Sequence, residues 1–197
     1  MKVKQSVFFF DTQFRKQVAS GEFALNPFEK LALPFLRGRV LDFGCGLGNL
    51  SIEAARRGMQ VLAVDASPAA VEHIGNVATA ERLKLQAIQA EVERYEIPGQ
   101  FDTIVAIGLL MFFQRDVALA LLAKVQEHVA PNGLAIVNVL IEGTTYMEMF
   151  EPGSYYLFGR EELRDRFKGW HVLHHSYDSF DAPGNTKKEF ATIIAQK

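Results

Sequence analysis

Two aspartates and three glycines in the first third of the chain are spaced like a cradle for a cationic ligand. Asp42 stands at the end of an apolar run, Arg39-Val40-Leu41-Asp42-Phe43, and is followed by Gly44-Cys45-Gly46-Leu47-Gly48-Asn49. Glycines at alternate positions let the backbone turn tightly and let a ligand approach without meeting a Cβ. Asp65 closes a second apolar run, Gln60-Val61-Leu62-Ala63-Val64. A strand, a glycine turn, a helix and a second strand ending in an acid form the unit that binds a nucleoside in doubly wound sheets. The dinucleotide fingerprint G-x-G-x-x-G does not fit. Counted from Gly44 its third glycine would be Asn49, and counted from Gly46 it would be Ser51. The pattern here is D-x-G-x-G-x-G. A carboxylate at that strand end repels a pyrophosphate and suits an ammonium or a sulfonium.

The elements that must hold these residues follow from the flanking sequence. Leu50 to Gly58 is rich in helix formers and ends on glycine. Ser67 caps and Pro68 opens a helix to about Arg82, with Val71, Ile74, Val77 and Ala78 on its sheet side and His73 off that stripe in solvent. Leu85 to Ala90 reads as a third strand ending in Glu91-Val92. Phe101 to Gly108 is a continuous apolar run, the pattern of a buried parallel strand. Leu109-Leu110-Met111-Phe112-Phe113 follows at what should be the ligand edge of the sheet. It reads either as core or as pocket wall, and its position favours a pocket role for Ile107, Gly108 and Met111. Asp116 to Val129 is an amphipathic helix, Ala130-Pro131-Asn132-Gly133 a turn, and Leu134 to Ile141 the fifth strand.

The two ends of the chain have a different character. Residues 1–36 are an aromatic lead-in, with Lys2 and Lys4 before Phe8-Phe9-Phe10 and a helix opened by Asn26-Pro27 through Leu33. The phenylalanines either clamp one sheet face or form a lid over the pocket; the sequence leaves both open. Residues 37–141 form the binding core. Residues 142–197 carry a long aromatic loop, a short helix over Arg160 to Lys168, and two strands, Trp170 to Tyr177 and Lys188 to Ala195, joined by an Asp-Ala-Pro-Gly-Asn turn. The expected fold is α/β: a doubly wound, mainly parallel seven-stranded sheet closed by an antiparallel C-terminal hairpin, in a single domain over 1–197.

Bulk properties narrow the class. At 197 residues, with 49% hydrophobic and 22% charged side chains, the chain has ordinary globular composition. Its formal charge of -2 gives no broad attraction for nucleic acid or an anionic membrane. One cysteine excludes an internal disulfide and a cysteine metal cluster. No apolar run approaches the length of a membrane span, and the N-terminal patch is too short for a signal core. The expectation is a cytoplasmic protein with a small-molecule substrate, no nucleic-acid or membrane partner, and a homodimer as the one assembly left open.

The Asp42 to Gly48 turn with the trailing Asp65 resembles motif I of the class I S-adenosylmethionine (SAM) methyltransferases. Further along, Gly108 to Phe113, Tyr155-Tyr156-Leu157-Phe158-Gly159-Arg160-Glu161-Glu162-Leu163-Arg164, Gly169-Trp170 and Glu189-Phe190-Ala191-Thr192 are similar to the bacterial tellurite-resistance SAM methyltransferases. That resemblance implies a small enzyme methylating tellurium or selenium oxyanions, or other soft nucleophiles. It also implies SAM contacts at Asp42, Gly44, Cys45, Gly46, Gly48, Asn49, Asp65, Ala66, Ser67, Glu91, Val92, Ile107, Gly108 and Met111, with Glu91 meeting the adenine amino group. The basic His-Arg pair and further Arg of that family near the final hairpin are replaced here by Ser179-Phe180-Asp181-Ala182-Pro183-Gly184-Asn185. The aromatic lead-in resembles that of many small methyltransferases, which often carry an Arg before the second aromatic where Gln13 stands here.

Methyl transfer from a sulfonium is an in-line displacement that needs position and desolvation, not a metal or a covalent nucleophile. Asp42 and the Gly44–Gly48 turn are expected to hold the methionine part, and Asp65 the ribose hydroxyls. Tyr146, Tyr155, His171, His174 and His175 are the available bases, but none is singled out; adjacent His174 and His175 should face opposite ways on a strand. Two other classes stay open, a nucleotide-dependent oxidoreductase on the same sheet and a non-catalytic SAM-binding or partner-binding domain.

Overall fold

The computed structural model describes residues 5–197, so Lys2 and Lys4 of the lead-in lie outside the described residues. In chain order the elements are α1 (Gln5–Ser20), α2 (Pro27–Ala32), β1 (Arg39–Phe43), α3 (Asn49–Arg56), β2 (Gln60–Asp65), α4 (Pro68–Glu81) and β3 (Leu85–Gln89). They continue as β4 (Phe101–Ile107), α5 (Arg115–His128), β5 (Val129–Leu140), α6 (Glu162–Asp165), β6 (His171–Ala182) and β7 (Thr186–Gln196). One seven-stranded sheet runs in the order β3-β2-β1-β4-β5-β7-β6. The first five strands pair in parallel, and β7 lies antiparallel to both β5 and β6. From β1 the chain steps outward to β3, then crosses back to β4 on the other side. The strand order therefore reverses between β1 and β4, and the crevice beyond their C-terminal ends is where an open α/β sheet takes its ligand.

Packing on the two faces explains why these segments take these forms. Leu41, Phe43, Ile104, Ala106, Val137 and Val139 point to one face and meet Leu121, Leu122 and Val125 of α5. Val40, Val61, Val105 and Ile136 point to the other and meet Leu50, Ala54 and Ala55 of α3. Strand residues of alternate parity thus feed two apolar layers, which is why the parallel strands read as continuous apolar runs. α4 buries Ala69, Ala70, Ile74 and Ala78, while His73 is not simply solvated but stacks on Phe23 with ring centroids 4.5 Å apart.

Three regions depart from the sequence expectation. The lead-in contains a helix, α1, of 16 residues. β5 begins before the Pro131-Asn132-Gly133 turn: Val129 pairs with Phe101 and Leu134 with Thr103, so the turn is a bulge carried within the strand. The segment Leu110–Phe112 coils into a 3-10 turn that buries Leu110 and Met111. Met111, expected on the pocket wall, packs instead with Leu140 and Phe150.

Candidate functional site

A cavity of about 680 Å³ opens at the β1/β4 reversal point. Its floor is the glycine turn. Backbone N–H groups of Gly44 and Cys45 both donate to the Val64 carbonyl, at 2.8 and 3.1 Å, so the turn is hung from the end of β2. Gly48 then caps α3 with φ +68°. A Cβ there would sit 2.6 Å from the side chain of Ile74, so the helix can begin only on a glycine at this point.

Asp65 holds the turn to the next helix. Its Oδ2 accepts from the Gly46 N–H at 2.9 Å and its Oδ1 from the Ser67 N–H at 2.8 Å. Asp42 is buried and accepts the Ser51 hydroxyl at 2.6 Å. The third carboxylate is Glu29. It is brought in by a capping box at the start of α2, where Asn26 Oδ1 accepts from the Glu29 N–H and Glu29 Oε2 accepts from the Asn26 N–H at 2.7 Å. Burial raises the pKa of all three acids. Asp42 is pushed up to about 7 by burial, against the Ser51 hydrogen bond, with Glu29 and Asp65 adding their repulsion. Burial, Asp65 and Asp42 together push the Cys45 thiol well above its ordinary value. Three acids held together in a part-apolar cleft favour a cation between them.

The roof is α1. Phe14 lies over the turn so closely that a Cβ on Gly46 would come within 3.1 Å of its ring. Phe10 meets Phe112 edge-on at 5.1 Å. Asp11 fastens the helix, accepting from the Ser67 hydroxyl at 2.6 Å and the Ala69 N–H at 3.1 Å, at the N-terminus of α4. Burial pushes Asp11 up, but these bonds and Arg15 outweigh it and hold the carboxyl below its ordinary value.

Of the residues singled out from sequence, Asp42, Gly44, Cys45, Gly46, Asn49, Asp65, Ala66, Ser67, Glu91, Val92, Ile107 and Gly108 line the cavity. Gly48 and Met111 do not: the first is tucked beneath the turn against Ile74, the second turned into the core. Glu91 lies on the rim and pairs with Arg94 at 3.3 Å. Asn49 donates to the Ala24 carbonyl at 3.5 Å, while its buried Oδ1 has no partner among the described residues. None of Tyr146, Tyr155, His171, His174 and His175 lines the cavity among the described residues. Sequence reasoning missed Glu29; Phe10 and Phe14 were weighed as a lid, and Leu109 and Phe112 as part of the apolar run at the ligand edge, and all four line the cavity. The signal for Glu29 was present as Asn26-Pro27-x-Glu29, a capping-box spacing.

The donor set fits a positively charged nucleoside. It combines three carboxylates, a glycine turn that brings backbone close, an unpartnered amide oxygen, and apolar walls from Val92, Ile107 and Leu109.

Residues 40–133 match the model of a family described as a methyltransferase domain. The chain is 28% identical over 165 residues to Hemagglutinin 1 of Eikenella corrodens, covering 81% of this chain and 54% of that protein. It is 26% identical over 166 residues to the probable S-adenosyl-L-methionine-dependent methyltransferase TehB of Haemophilus influenzae, covering 81% and 57%. The chain thus spans a little over half the length of these curated relatives. The crystal structure of TehB from H. influenzae superposes with a TM-score of 0.77 at 21% identity, over 92% of this chain and 65% of that one.

Proposed function

We propose that this chain is a class I SAM-dependent methyltransferase, akin to TehB, that transfers the methyl group of SAM to a small molecule. The convergence of Asp42, Asp65 and Glu29 on one glycine turn carries the reading, because a cation is what such a cleft stabilises. SAM supplies an activated methyl group when bound. The residues supply its position. Asp42 and Glu29 face the ammonium of the methionine part. Asp65, already fixed by Gly46 and Ser67, presents its remaining lone pairs to the ribose hydroxyls. Glu91 and Val92 flank the adenine, and Ile107, Gly108 and Leu109 border the reacting end. The aromatic roof of α1 excludes water, which strengthens every one of these contacts.

The domain reading goes with this: one unit over 1–197, with 1–36 as roof, 37–141 as binding core and 142–197 as substrate loop and closing hairpin. No helix among the described residues is long and apolar enough to cross a membrane. A charge of -2 supports the absence of a nucleic-acid partner. Pairing of two copies is the assembly that light scattering would test. The likeness to TehB makes tellurium and selenium oxyanions acceptors to try.

Calorimetric titration with SAM, its demethylated product S-adenosylhomocysteine (SAH) and NADH tests the cofactor reading. Heats from the first two and silence from the third are expected. NADH binding without SAM binding would overturn it.

A further inference from the structure

β6 is the outermost strand at one end of the sheet, and among the described residues it pairs with β7 alone. Its outer edge is long and unprotected. It runs 12 residues, His171 to Ala182, without a proline, a lysine or an arginine. A row of unpaired N–H and C=O groups is a template for another strand, and sheets blunt such edges with short strands, lysines or prolines. The opposite edge is blunted: β3 has five residues and follows the exposed Lys84. On β6, by contrast, the large apolar side chains of Val172, Leu173 and Phe180 stand exposed. The strand's one irregularity is a bulge between Val172 and His174.

The strand is also complementary to itself. Its first half carries the imidazoles of His171, His174 and His175, and its second half the carboxylates of Asp178 and Asp181. Two copies related by a two-fold axis normal to the sheet would join these edges antiparallel. With that axis through Ser176, His174 of each copy lies opposite Asp178 of the other, an imidazole N–H facing a carboxylate. Asp178 already accepts the Ser176 hydroxyl at 3.0 Å on that face. On the other face His175 lies opposite Tyr177, the ring that it meets edge-on within its own copy. Phe180 comes opposite the bulge that carries Val172 and Leu173. Moving the axis one residue, to His175 or to Tyr177, leaves no histidine opposite an aspartate. Moving it to Asp178 sets two carboxylates against each other.

We propose that the outer edge of β6 seats a second copy of this chain, paired antiparallel about Ser176, so that two seven-stranded sheets become one. The proposal goes beyond the methyltransferase reading and does not depend on it. A contact that uses the same strand from both copies closes at two. The edges left outermost are then the two short β3 strands.

Cys45 is buried and is the chain's single cysteine, so an introduced cysteine reports alone. Ser176→Cys puts both sulfurs on the axis, with Cα atoms about 4.5–5.5 Å apart, which a disulfide spans. Ser179→Cys is more exposed, yet the six residues between it and its counterpart hold the two about 20 Å apart. Under copper-phenanthroline oxidation of the full chain we expect Ser176→Cys to give covalent dimer at least about tenfold faster than Ser179→Cys. In sedimentation velocity the parent chain should pass from one copy to two between about 1 and 100 µM. Ser176→Lys sets two ammonium groups opposite each other and should move that passage up at least about tenfold, with a cooperative melting curve retained. Should that half-buried lysine prevent folding, the two cysteine variants decide. A parent chain still single at about 100 µM, a folded Ser176→Lys that pairs as before, or Ser179→Cys cross-linking as fast as Ser176→Cys overturns the proposal. SAH titration of the same samples reads the cofactor site separately, and its failure counts against the methyltransferase reading alone.

Discussion

The Ser51 hydroxyl donates to Asp42 Oδ2 at 2.6 Å, from the first turn of α3 back to the last turn-facing residue but one of β1. Both groups are buried. One neutral hydrogen bond does not offset the burial of a full negative charge, which is why Asp42 titrates near pH 7 in the folded protein.

That value fixes the sign of a pH effect. The ordinary carboxyl value is 3.8, so the native protein holds a proton on Asp42 between about 4 and 7 that the unfolded chain has released. Stability relative to Asp42→Asn should therefore fall as pH rises through that window, checked by denaturant unfolding at several pH values. If Asp42 faces a cation, SAM affinity should rise over the same window. Binding near pH 6.5 should then release a proton, seen as a dependence of the calorimetric heat on buffer, and Asp42→Asn should abolish that release.

Glu29 raises Asp42 through space, so Glu29→Gln should lower the pH at which the SAM affinity changes. The capping box survives, since a glutamine oxygen can still accept from the Asn26 N–H. Unchanged pH dependence with an intact melting curve would remove Glu29 from the cleft's electrostatics.

Asp65→Ala removes both turn-holding bonds and the proposed ribose acceptor. SAH affinity should fall by roughly 2–3 kcal/mol, about 30- to 150-fold, as expected for charge-assisted bonds in a part-buried site. Calorimetry showing equal affinity would take Asp65 out of the site.

The roof hangs on Asp11. Its folded pKa lies below the ordinary value, so the docking it supports is present above about pH 4 and lost as pH falls further. Asp11→Ala at neutral pH should speed hydrogen exchange in α1 while exchange in β1, β4 and β5 stays slow. Equal α1 protection in the variant would place the anchorage elsewhere.

Gly48→Ala combines a left-handed backbone with a clash against Ile74. It should destabilise by roughly 2–4 kcal/mol and lower Tm by about 5–12 °C. A differential scan within a degree of the parent would show that the turn adapts.

The sheet was legible because its determinants are local. β1 and β2 announce themselves by apolar runs ending in Asp42 and Asp65, and α2 and α4 by Asn26-Pro27 and Ser67-Pro68. What escaped depends on residues brought together from afar. Val7, Phe10 and Phe14 fall at helical spacing over the cleft, but Phe8 and Phe9, exposed on the other side, blur that stripe in the sequence. Met111 and Phe112 are neighbours in sequence, yet a 3-10 turn sends one into the core and the other to the wall of the cleft. The start of β5 falls at Val129 rather than Leu134 because a Pro-Asn-Gly turn signal does not say whether the strand stops or merely bulges.

Cys45 is the chain's single sulfhydryl, and it lies in the cleft floor beneath the roof helix. With its thiol kept protonated by burial and by Asp65 and Asp42, it reacts sluggishly by nature. Alkylation with a compact maleimide is thus a clock needing no engineered label: its rate counts how often helix and turn part, and how far an occupant of the cleft slows them.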